Sequence, residues 1–377
     1  MDQGLMEILE SFRWVAENPG EYARAWKKKK NRPVIGYVCS YAPEEIMLAA
    51  GGLPYRIFGS GRQIRLADSH LQAYSCSLVR GAMEDVLGGH LDFLDGTVFP
   101  HTCDSIQRLS DMWRMNAGLD FHLDVVLPVK LDNDISKDYM ARVLRKFRDD
   151  LGQAVGATIT DENIKSAARV YNSLRAFLRA IYAVRREHAS LVTGSDLLAM
   201  TKGSMMMDRH EALDLLTEFR AALDQEQILP ANGKKRLVLA GGLCNMPDIF
   251  EVIEDSGGVI VDDDICTGSR YVDGEVELEG DIFSALADRY VQRAVCPAKH
   301  TGLYTRGEHL VDLVKEGRAD GVIFLYLKFC DPHAFDYPYI KNMLDGEGIP
   351  NLLLELDDSS PTEGQFRTRC EAFVEML

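Results

Sequence analysis

Features that define several common protein classes are absent from this sequence of 377 residues. The formal net charge of −16 disfavours a broad surface for nucleic acids or anionic membranes, because both are bound through clustered Lys and Arg. No apolar run approaches the roughly 20 residues needed to cross a bilayer. Residues 1–14 lack the basic start and the small-residue cleavage site of a signal peptide. We therefore expect a cytoplasmic protein that binds neither nucleic acid nor membrane.

Closely spaced cysteine pairs are also missing, since no two of the eight cysteines form a C-x-x-C motif. This absence argues against a zinc ribbon, a thioredoxin-like site and a ferredoxin-type cluster run. A chain of this length that is 46% hydrophobic can bury its core without disulfides, which a reducing cytosol would open. Any metal site must therefore combine cysteines that are distant in the sequence. The cysteines are Cys39, Cys76, Cys103, Cys244, Cys266, Cys296, Cys330 and Cys370.

No Walker A motif occurs in the sequence, so we do not expect this polypeptide to hydrolyse ATP. The glycine-bearing segment 240–248 could cradle a phosphate with its N–H groups, but it matches no standard phosphate-binding motif. The acid run Asp262-Asp263-Asp264 could bind a divalent cation. Because successive side chains of an extended segment diverge, we expect a solvated or hydrogen-bonded turn there instead.

The apolar segments of the chain alternate with helical patterns. This alternation predicts an α/β fold with two Rossmann-like parallel-sheet units and a bridging helical segment. The predicted division is an N-terminal α/β domain over residues 1–135, a helical segment over 136–230 and a C-terminal α/β domain over 231–377. The predicted strands are Val34–Val38, Thr97–Phe99, Val125–Val129, Arg236–Ala240, Val259–Val261, Gly321–Leu327 and Asn351–Leu356.

Most of the cysteines follow predicted strands, where loops of an open α/β sheet converge and ligands collect. Cys103 and Cys330 are each followed by Asp at a predicted helix start, a position that lowers the pKa of a thiol and favours metal ligation. Cys76 has Arg80 on the same helix face, four residues further on. For every cysteine, packing as a small apolar residue remains the alternative.

A site with three thiolate ligands would have a chemical advantage, because an iron without a protein ligand can bind water or a substrate oxygen. Spacing alone leaves open whether the cysteines bind a cluster or pack in the core. Three histidines also lie near cysteines in the sequence, where they could transfer protons or serve as hydrogen-bonded structural residues. These are His101, His300 and His333.

Four motifs occur in a fixed order along the chain. They are His101-Thr102-Cys103-Asp104-Ser105, Gly241-Gly242-Leu243-Cys244-Asn245, Asp263-Asp264-Ile265-Cys266-Thr267-Gly268-Ser269-Arg270 and Lys328-Phe329-Cys330-Asp331-Pro332-His333. Together, and over nearly the whole chain, they resemble the family that contains 2-hydroxyacyl-CoA dehydratases and class I, ATP-dependent benzoyl-CoA reductases.

The resemblance implies that Cys76, Cys103 and Cys330 ligate one [4Fe-4S] cluster and that the other five cysteines do not. It also implies the smaller of two related subunits, paired with a larger homologous iron-sulfur subunit and supplied with electrons by separate ATP-hydrolysing activator subunits. The substrate would be an acyl-CoA. Glu45 aligns with the family's Pro-x-Glu segment, which makes it a candidate catalytic residue that positions or protonates substrate.

The segments Cys330–Tyr339 and Pro361–Gln365 look more like the smaller reductase subunit. We therefore expect a subunit of benzoyl-CoA reductase, which dearomatises an aromatic acyl-CoA with low-potential single electrons. The alternative reaction is the elimination of water from a 2-hydroxyacyl-CoA through a ketyl radical. A non-catalytic electron-relay or structural subunit is a further possibility, and so is a small-molecule binding α/β protein whose cysteines only pack.

Overall fold

The computed structural model describes residues 3–59, 62–189, 191–223, 233–242, 248–294, 296–356 and 363–377. Within these ranges the chain forms eight strands and fifteen helices, with a short 3-10 turn at Ala67–Ser69. In chain order they are α1 (Gln3–Glu17), α2 (Pro19–Lys30), β1 (Val34–Tyr37), α3 (Glu44–Ala49), β2 (Leu53–Arg56), α4 (Ser77–Leu87), β3 (Gly96–Pro100), α5 (Asp104–Asn116), β4 (Phe121–Val125), α6 (Asp134–Val155), α7 (Asp161–His188), α8 (Gly194–Ser204), α9 (Arg209–Leu223), β5 (Lys235–Gly241), α10 (Asp248–Asp255), β6 (Gly258–Asp264), α11 (Ser269–Val272), α12 (Ile282–Gln292), α13 (Thr305–Gly317), β7 (Gly321–Leu327), α14 (Asp331–Gly346), β8 (Asn351–Leu356) and α15 (Glu363–Met376).

The first four strands form one parallel sheet in the order β2-β1-β3-β4. Its central strand β1 is buried along its whole length, and its residues alternate between two hydrophobic cores: Val34 faces one core and Ile35 the other. A strand that is covered on both faces reads as a continuous apolar run, which is why the sequence indicated it.

The last four strands form a second parallel sheet in the order β6-β5-β7-β8, which repeats the order of the first. Here too the central strand feeds two cores, with Leu237 on one face and Val238 on the other. At the end of β5, Gly241 has a φ of 135°, and a Cβ there would lie 2.0 Å from the carbonyl oxygen of Leu325. Only glycine allows this approach. The predicted α/β fold with two parallel-sheet units is confirmed.

Helices α6 to α9 lie between the two sheets in the chain, in the region where the sequence predicted a helical segment. The N-terminal helix α1 packs on α8 and α9 and buries Leu5, Leu9 and Phe12, so it belongs to the same layer. Helix α6 also contacts α12, which connects this layer to the second half of the chain. The boundaries at residues 135 and 230 remain a prediction.

Two expectations about strands need correction. The apolar segment Val125–Val129 is not a strand beyond its first residue; β4 ends at Val125, and Val126 and Val129 are exposed. The true strand was obscured because His122 and Asp124 interrupt its apolar character. Strand β2 was not predicted, because it is four residues long and contains Pro54, which an edge strand tolerates.

In the part of the chain that the structure describes, none of the helices combines the length and apolar character of a membrane span.

Candidate functional site

Each of the three predicted cysteine ligands occupies the residue directly before a helix. Cys76 precedes α4, Cys103 precedes α5 and Cys330 precedes α14. The positive end of a helix dipole and its unpaired N–H groups stabilise a negative charge at this position. The N–H groups of Ile106 and His333 favour the thiolates of Cys103 and Cys330, although neither sulfur makes a capping hydrogen bond of normal geometry.

The three thiols meet in one region although they come from both sheets. Cys76 is part of a buried hydrophobic core against which Cys103 and Cys330 pack. The charges of Cys76 and Cys103 both act on Cys330, and the charge of Cys76 acts on Cys103. Because β3 and β7 are parallel strands, their carboxyl ends deliver Cys103 and Cys330 to the crevice between the two halves.

Burial and mutual repulsion make these thiols hard to ionise on their own. Burial, together with the nearby Cys76 and Cys39, raises the pKa of Cys103 to about 12. Burial and the proximity of Cys76 and Cys103 likewise raise the pKa of Cys330. Without a metal both side chains are therefore neutral thiols at physiological pH, whereas bound cations would favour the thiolates.

The backbone is strained at two points of the crevice. Phe329, immediately before Cys330, has a φ of 64°, and Cys39, two residues after β1, has a φ of 66°. Such left-handed conformations are costly for residues other than glycine and are concentrated at functional sites. At Phe329 the reversal takes the chain from β7 into α14 within three residues, which fixes Cys330 at the start of the helix.

His333 is the buried polar neighbour of Cys330, with its Nδ1 3.2 Å from the Cys330 Sγ. Burial, followed by the nearby charges of Arg270 and Arg306, holds the pKa of His333 well below its usual range. The imidazole is therefore neutral. Its Nε2 atom is buried and has no hydrogen-bond partner. His333 lies on α14 rather than in the loop that the sequence suggested.

The other two histidines are away from this contact. His101 is within hydrogen-bond distance of Asp124, with 2.9 Å between its Nε2 and the Asp124 Oδ1, and His300 is exposed. Arg80, expected to face the cluster from α4, forms an ion pair of 2.7 Å with Asp68.

A cavity of about 510 Å³ opens beside Cys103. Thr102 and Asp104 line it on one side, and Asp331 and Phe335 line it on the other. Lys299 also borders the cavity; its Nζ donates to the carbonyl oxygens of Leu127 and Pro128 at 3.3 and 3.0 Å. The cavity is large enough for a small organic ligand. Exposed apolar side chains surround its mouth, namely Val129, Leu303, Phe335 and Tyr339.

Within the described ranges, no three side chains of His, Cys, Asp or Glu are arranged to bind one metal ion. In a [4Fe-4S] cluster each thiolate binds a different iron, so its ligands need not meet at a single point. The donor set fits such a cluster in its chemistry, because it consists of three soft thiol groups at helix starts against an apolar wall.

Glu45, the candidate catalytic residue, is not in the cavity. It lies in α3, is 1% exposed, and forms an ion pair of 2.5 Å with the equally buried Arg175 of α7. Although burial alone would raise its pKa, Arg175 and then Arg289 lower it below the usual value. The carboxylate therefore already has a structural partner, and its catalytic role remains a prediction.

The acid run Asp262–Asp264 is not a turn. It forms the end of β6 and is buried, with each carboxylate bonded to a different neighbour. Arg186 pairs with Asp262, the hydroxyl of Tyr182 donates to Asp263 at 2.5 Å, and Asp264 bridges two arginines. The acids are thus hydrogen-bonded, as expected, but within a strand. The predicted phosphate-cradling turn, including Cys244, falls at residues 243–247, outside the described residues.

Sequence reasoning missed the cations and the second group of thiols around the crevice. Arg270 and Arg306 bind Asp264 at 2.7 and 2.8 Å, and the guanidinium of Arg270 also reaches Cys266. The spacing of Cys266 and Arg270 by four residues on a short helical segment was a signal that could have revealed this contact. Nothing in the sequence indicated that Cys296 would meet Cys266.

Comparison with known proteins gives a match to the family described as 2-hydroxyglutaryl-CoA dehydratase, D-component, over residues 39–377. The (R)-phenyllactyl-CoA dehydratase beta subunit of Clostridium sporogenes is 26% identical over 371 residues, which cover 98% of this chain and 99% of that relative. A benzoyl-CoA reductase subunit of Thauera aromatica is 28% identical over 362 residues and 94% of both chains.

The beta subunit of (R)-2-hydroxyglutaryl-CoA dehydratase from Acidaminococcus fermentans is 28% identical over 379 residues, which span 98% of this chain and 99% of that relative. Both enzyme types suggested by the sequence motifs are therefore represented among the relatives, and each match extends along nearly the full chain. The chain belongs to the 2-hydroxyglutaryl-CoA dehydratase, D-component family.

Proposed function

We propose that this chain is a [4Fe-4S]-bearing subunit of an enzyme that reduces or dehydrates an acyl-CoA with single electrons. The observation that carries the proposal is the convergence of Cys76, Cys103 and Cys330, each at a helix start, from both halves of the molecule. Buried filler cysteines have no reason to occupy three helix starts that face one crevice.

When bound, the cluster would supply low-potential electrons and one iron without a protein ligand. The chain's own groups would do the rest. The three thiolates would hold the cluster, and the starts of α5 and α14 would stabilise their charge. Neutral His333 can donate its Nδ1–H to the Cys330 sulfur, a contact of the kind that orients and tunes a ligand. The apolar wall would keep water away.

The cavity beside Cys103 is the proposed substrate-facing side of this protein. Lys299 and Arg306 border it and bring positive charge to a site where a thioester carbonyl would gain electron density. The exposed side chains of Leu303, Phe335 and Tyr339 at its mouth support a larger homologous iron-sulfur subunit as the partner that covers it.

Benzoyl-CoA reduction is the first reaction that we propose. The relative from Thauera aromatica, named as part of a benzoyl-CoA reductase, aligns along 94% of the chain, and the segment around α14 carries the motif that favoured this reaction. Dehydration of a 2-hydroxyacyl-CoA is the second candidate, because the family description and other relatives name that reaction.

Other parts of the assembly follow from the same reasoning. No Walker A motif occurs in the sequence, so ATP hydrolysis is assigned to separate activator subunits. The seven cysteines in the described ranges are all free, which supports a reducing, cytoplasmic location.

The test is an anaerobic assay with the larger partner and the activator present. Benzoyl-CoA and a set of 2-hydroxyacyl-CoA esters are supplied in parallel, and the products are separated by chromatography. A cyclic diene from benzoyl-CoA supports the reductase, and an enoyl-CoA supports the dehydratase. Cys103→Ser should abolish either activity, whereas Cys370→Ser, a core position far from the crevice, should not.

The non-catalytic alternative predicts a different pattern. If this chain only relays electrons, Cys103→Ser will leave substrate affinity unchanged and slow electron delivery to the larger partner. Full turnover with Cys103→Ser in place would contradict the proposed function.

A further inference from the structure

Two cysteines that are not among the predicted cluster ligands meet at the edge of the crevice. Cys266 lies two residues after β6 and Cys296 lies four residues after α12. Their thiols form a hydrogen bond with each other, although thirty residues separate them in the sequence. Neither residue is fully buried, so a small reagent has access to the pair.

A fixed cation faces one of the two sulfurs. The Nη1 of Arg270 points to the Sγ of Cys266 at 3.5 Å. The Nε of Arg270 donates to Asp264 at 2.7 Å, and its Nη2 donates to the carbonyl oxygens of Gly241 and Asp264. These bonds hold the guanidinium in place, so its charge is available to Cys266 without reorganisation.

The two thiols therefore have different roles. The hydrogen bond from Cys296, then Arg270 and Arg56, lowers the pKa of Cys266 to about 5 despite its burial. The same hydrogen bond, together with burial, raises the pKa of Cys296. One thiolate next to one retained thiol is the arrangement in which a dithiol reacts with oxidants.

We propose that Cys266 and Cys296 form a redox-active dithiol that closes to a disulfide when it meets a small oxidant. The Cys266 thiolate attacks the oxidant, for example one sulfur of a low-molecular-weight disulfide, and a mixed disulfide forms as one thiolate leaves. Cys296 then gives up its proton and attacks the Cys266 sulfur, which releases the second thiolate. The protein loses two electrons, and the reagent gains them as two thiols.

The bond would connect the two halves of the molecule near the predicted ligands. The amide N–H of Cys296 donates to the hydroxyl of Tyr41 at 3.2 Å, and Tyr41 packs beneath the first sheet. Cys266 is attached to the second sheet through β6. Closing the disulfide would therefore join the two halves at the edge of the crevice. The inference concerns thiols outside the proposed cluster and does not require that cluster to exist.

Cys39 is the competing partner for Cys296, because its charge also acts on that thiol. However, the hydroxyl of Thr102 donates a hydrogen bond to the Cys39 Sγ at 3.1 Å, and Arg270 faces Cys266. These contacts favour Cys266 as the attacking sulfur.

The test uses the full chain, purified anaerobically and treated with diamide, whose N=N bond takes up two electrons and two protons. Free thiols are then blocked with N-ethylmaleimide, and unreduced peptides are sequenced by tandem mass spectrometry. We expect a peptide that links Cys266 to Cys296, and its release after dithiothreitol. The link should persist in Cys370→Ser.

Two variants make the result decisive. Cys266→Ser should leave Cys296 open to N-ethylmaleimide after diamide, and Cys296→Ser should do the same for Cys266; far-UV circular dichroism confirms that each is folded. Iron content measured in parallel separates this result from the state of the cluster. Full labelling of Cys266 in the diamide-treated wild type, or a link from Cys296 to Cys39, would overturn the proposal.

Discussion

The two halves of the molecule have sheets of the same strand order but carry different residues at their strand ends. In each half the helix that follows the third strand begins after a cysteine: Cys103 after β3 and Cys330 after β7. Cys76 breaks this equivalence. It precedes the helix between β2 and β3, whereas the three helices between β6 and β7 follow Gly268, Asp281 and Tyr304.

This comparison explains how two similar units provide an odd number of ligands. The repeated position contributes one thiol from each half, and the first half adds a third at a position of its own. No repeat was visible in the sequence, because the two halves share strand order rather than residues.

The largest predicted effect tests whether Cys103 and Cys330 are equivalent. Either Cys103→Ser or Cys330→Ser should lower the iron content from about four atoms to less than about one per chain, because a cubane that loses one of three thiolates is not retained. Iron and acid-labile sulfide are measured after anaerobic reconstitution, with Cys370→Ser as the control. A large loss in one variant and none in the other would break the equivalence.

The second prediction compares the buried ion pairs of the two halves. Asp264→Asn leaves Arg270 and Arg306 without their shared carboxylate, and Glu45→Gln leaves Arg175 without its own. Each change should lower the free energy of unfolding by about 3–5 kcal/mol, with the larger loss for Asp264 because two arginines are affected. Urea denaturation provides the measurement.

Glu45→Gln also sharpens the comparison of structure with catalysis. A purely structural Glu45 would lower stability and leave kcat per folded molecule unchanged. A fall in kcat without any loss of stability would restore the catalytic role.

The third prediction concerns pH, because two edge-strand acids shift in opposite directions. In β6, burial raises the pKa of Asp262 to about 6, against an opposing effect of Arg186 and with support from Asp263. In β4, hydrogen bonds from His122, Ser110 and His101 outweigh burial and hold the pKa of Asp124 well below its usual range.

The two acids should therefore contribute opposite pH slopes. The folded state binds a proton at Asp262 more tightly than the unfolded state, so its contribution is full below about pH 4 and falls by about 2–3 kcal/mol as the pH rises through 6. The contribution of Asp124 is present above about pH 4 and is lost as the pH falls. Denaturation of Asp262→Asn and Asp124→Asn between about pH 4 and pH 7, relative to wild type, should give slopes of opposite sign. Parallel slopes would refute this difference.

The smallest effect separates helix starts that bind ligands from those that only fold. Helix α6 begins at Asn133, whose side chain accepts from the Ser136 N–H at 2.9 Å, whereas Cys103 makes no such cap. In the iron-free chain, Asn133→Ala should cost about 1 kcal/mol and Cys103→Ala clearly less. Equal costs by urea denaturation would show that Cys103 has a folding role of its own.

Much of the fold could be predicted from the sequence because the central strands are continuous apolar runs. Gly321–Leu327 and Asn351–Leu356 agree with β7 and β8 residue for residue. Edge strands were harder, since β2 contains Pro54 and β4 contains polar residues. Their identity depends on which neighbour they pair with, and a local pattern does not carry that information.

The candidate site was predictable only in part. The positions of Cys103 and Cys330 followed from strand ends and from the Asp residues after them, but their approach to Cys76 is a tertiary property. The burial of Glu45 against Arg175 depends on α3 packing against α7, far apart in the chain. The contact between Cys266 and Cys296 likewise requires the folded arrangement of β6 and α12.

Cys76, Cys103 and Cys330 are proposed to hold one cubane cluster, and the metal content of the chain decides whether they do. Iron and sulfide analysis is combined with Mössbauer spectroscopy of the anaerobically purified wild-type chain. We expect about four irons and four sulfides per chain, with the spectrum of a single [4Fe-4S] cluster. A folded chain that remains free of iron after reconstitution would contradict the proposal.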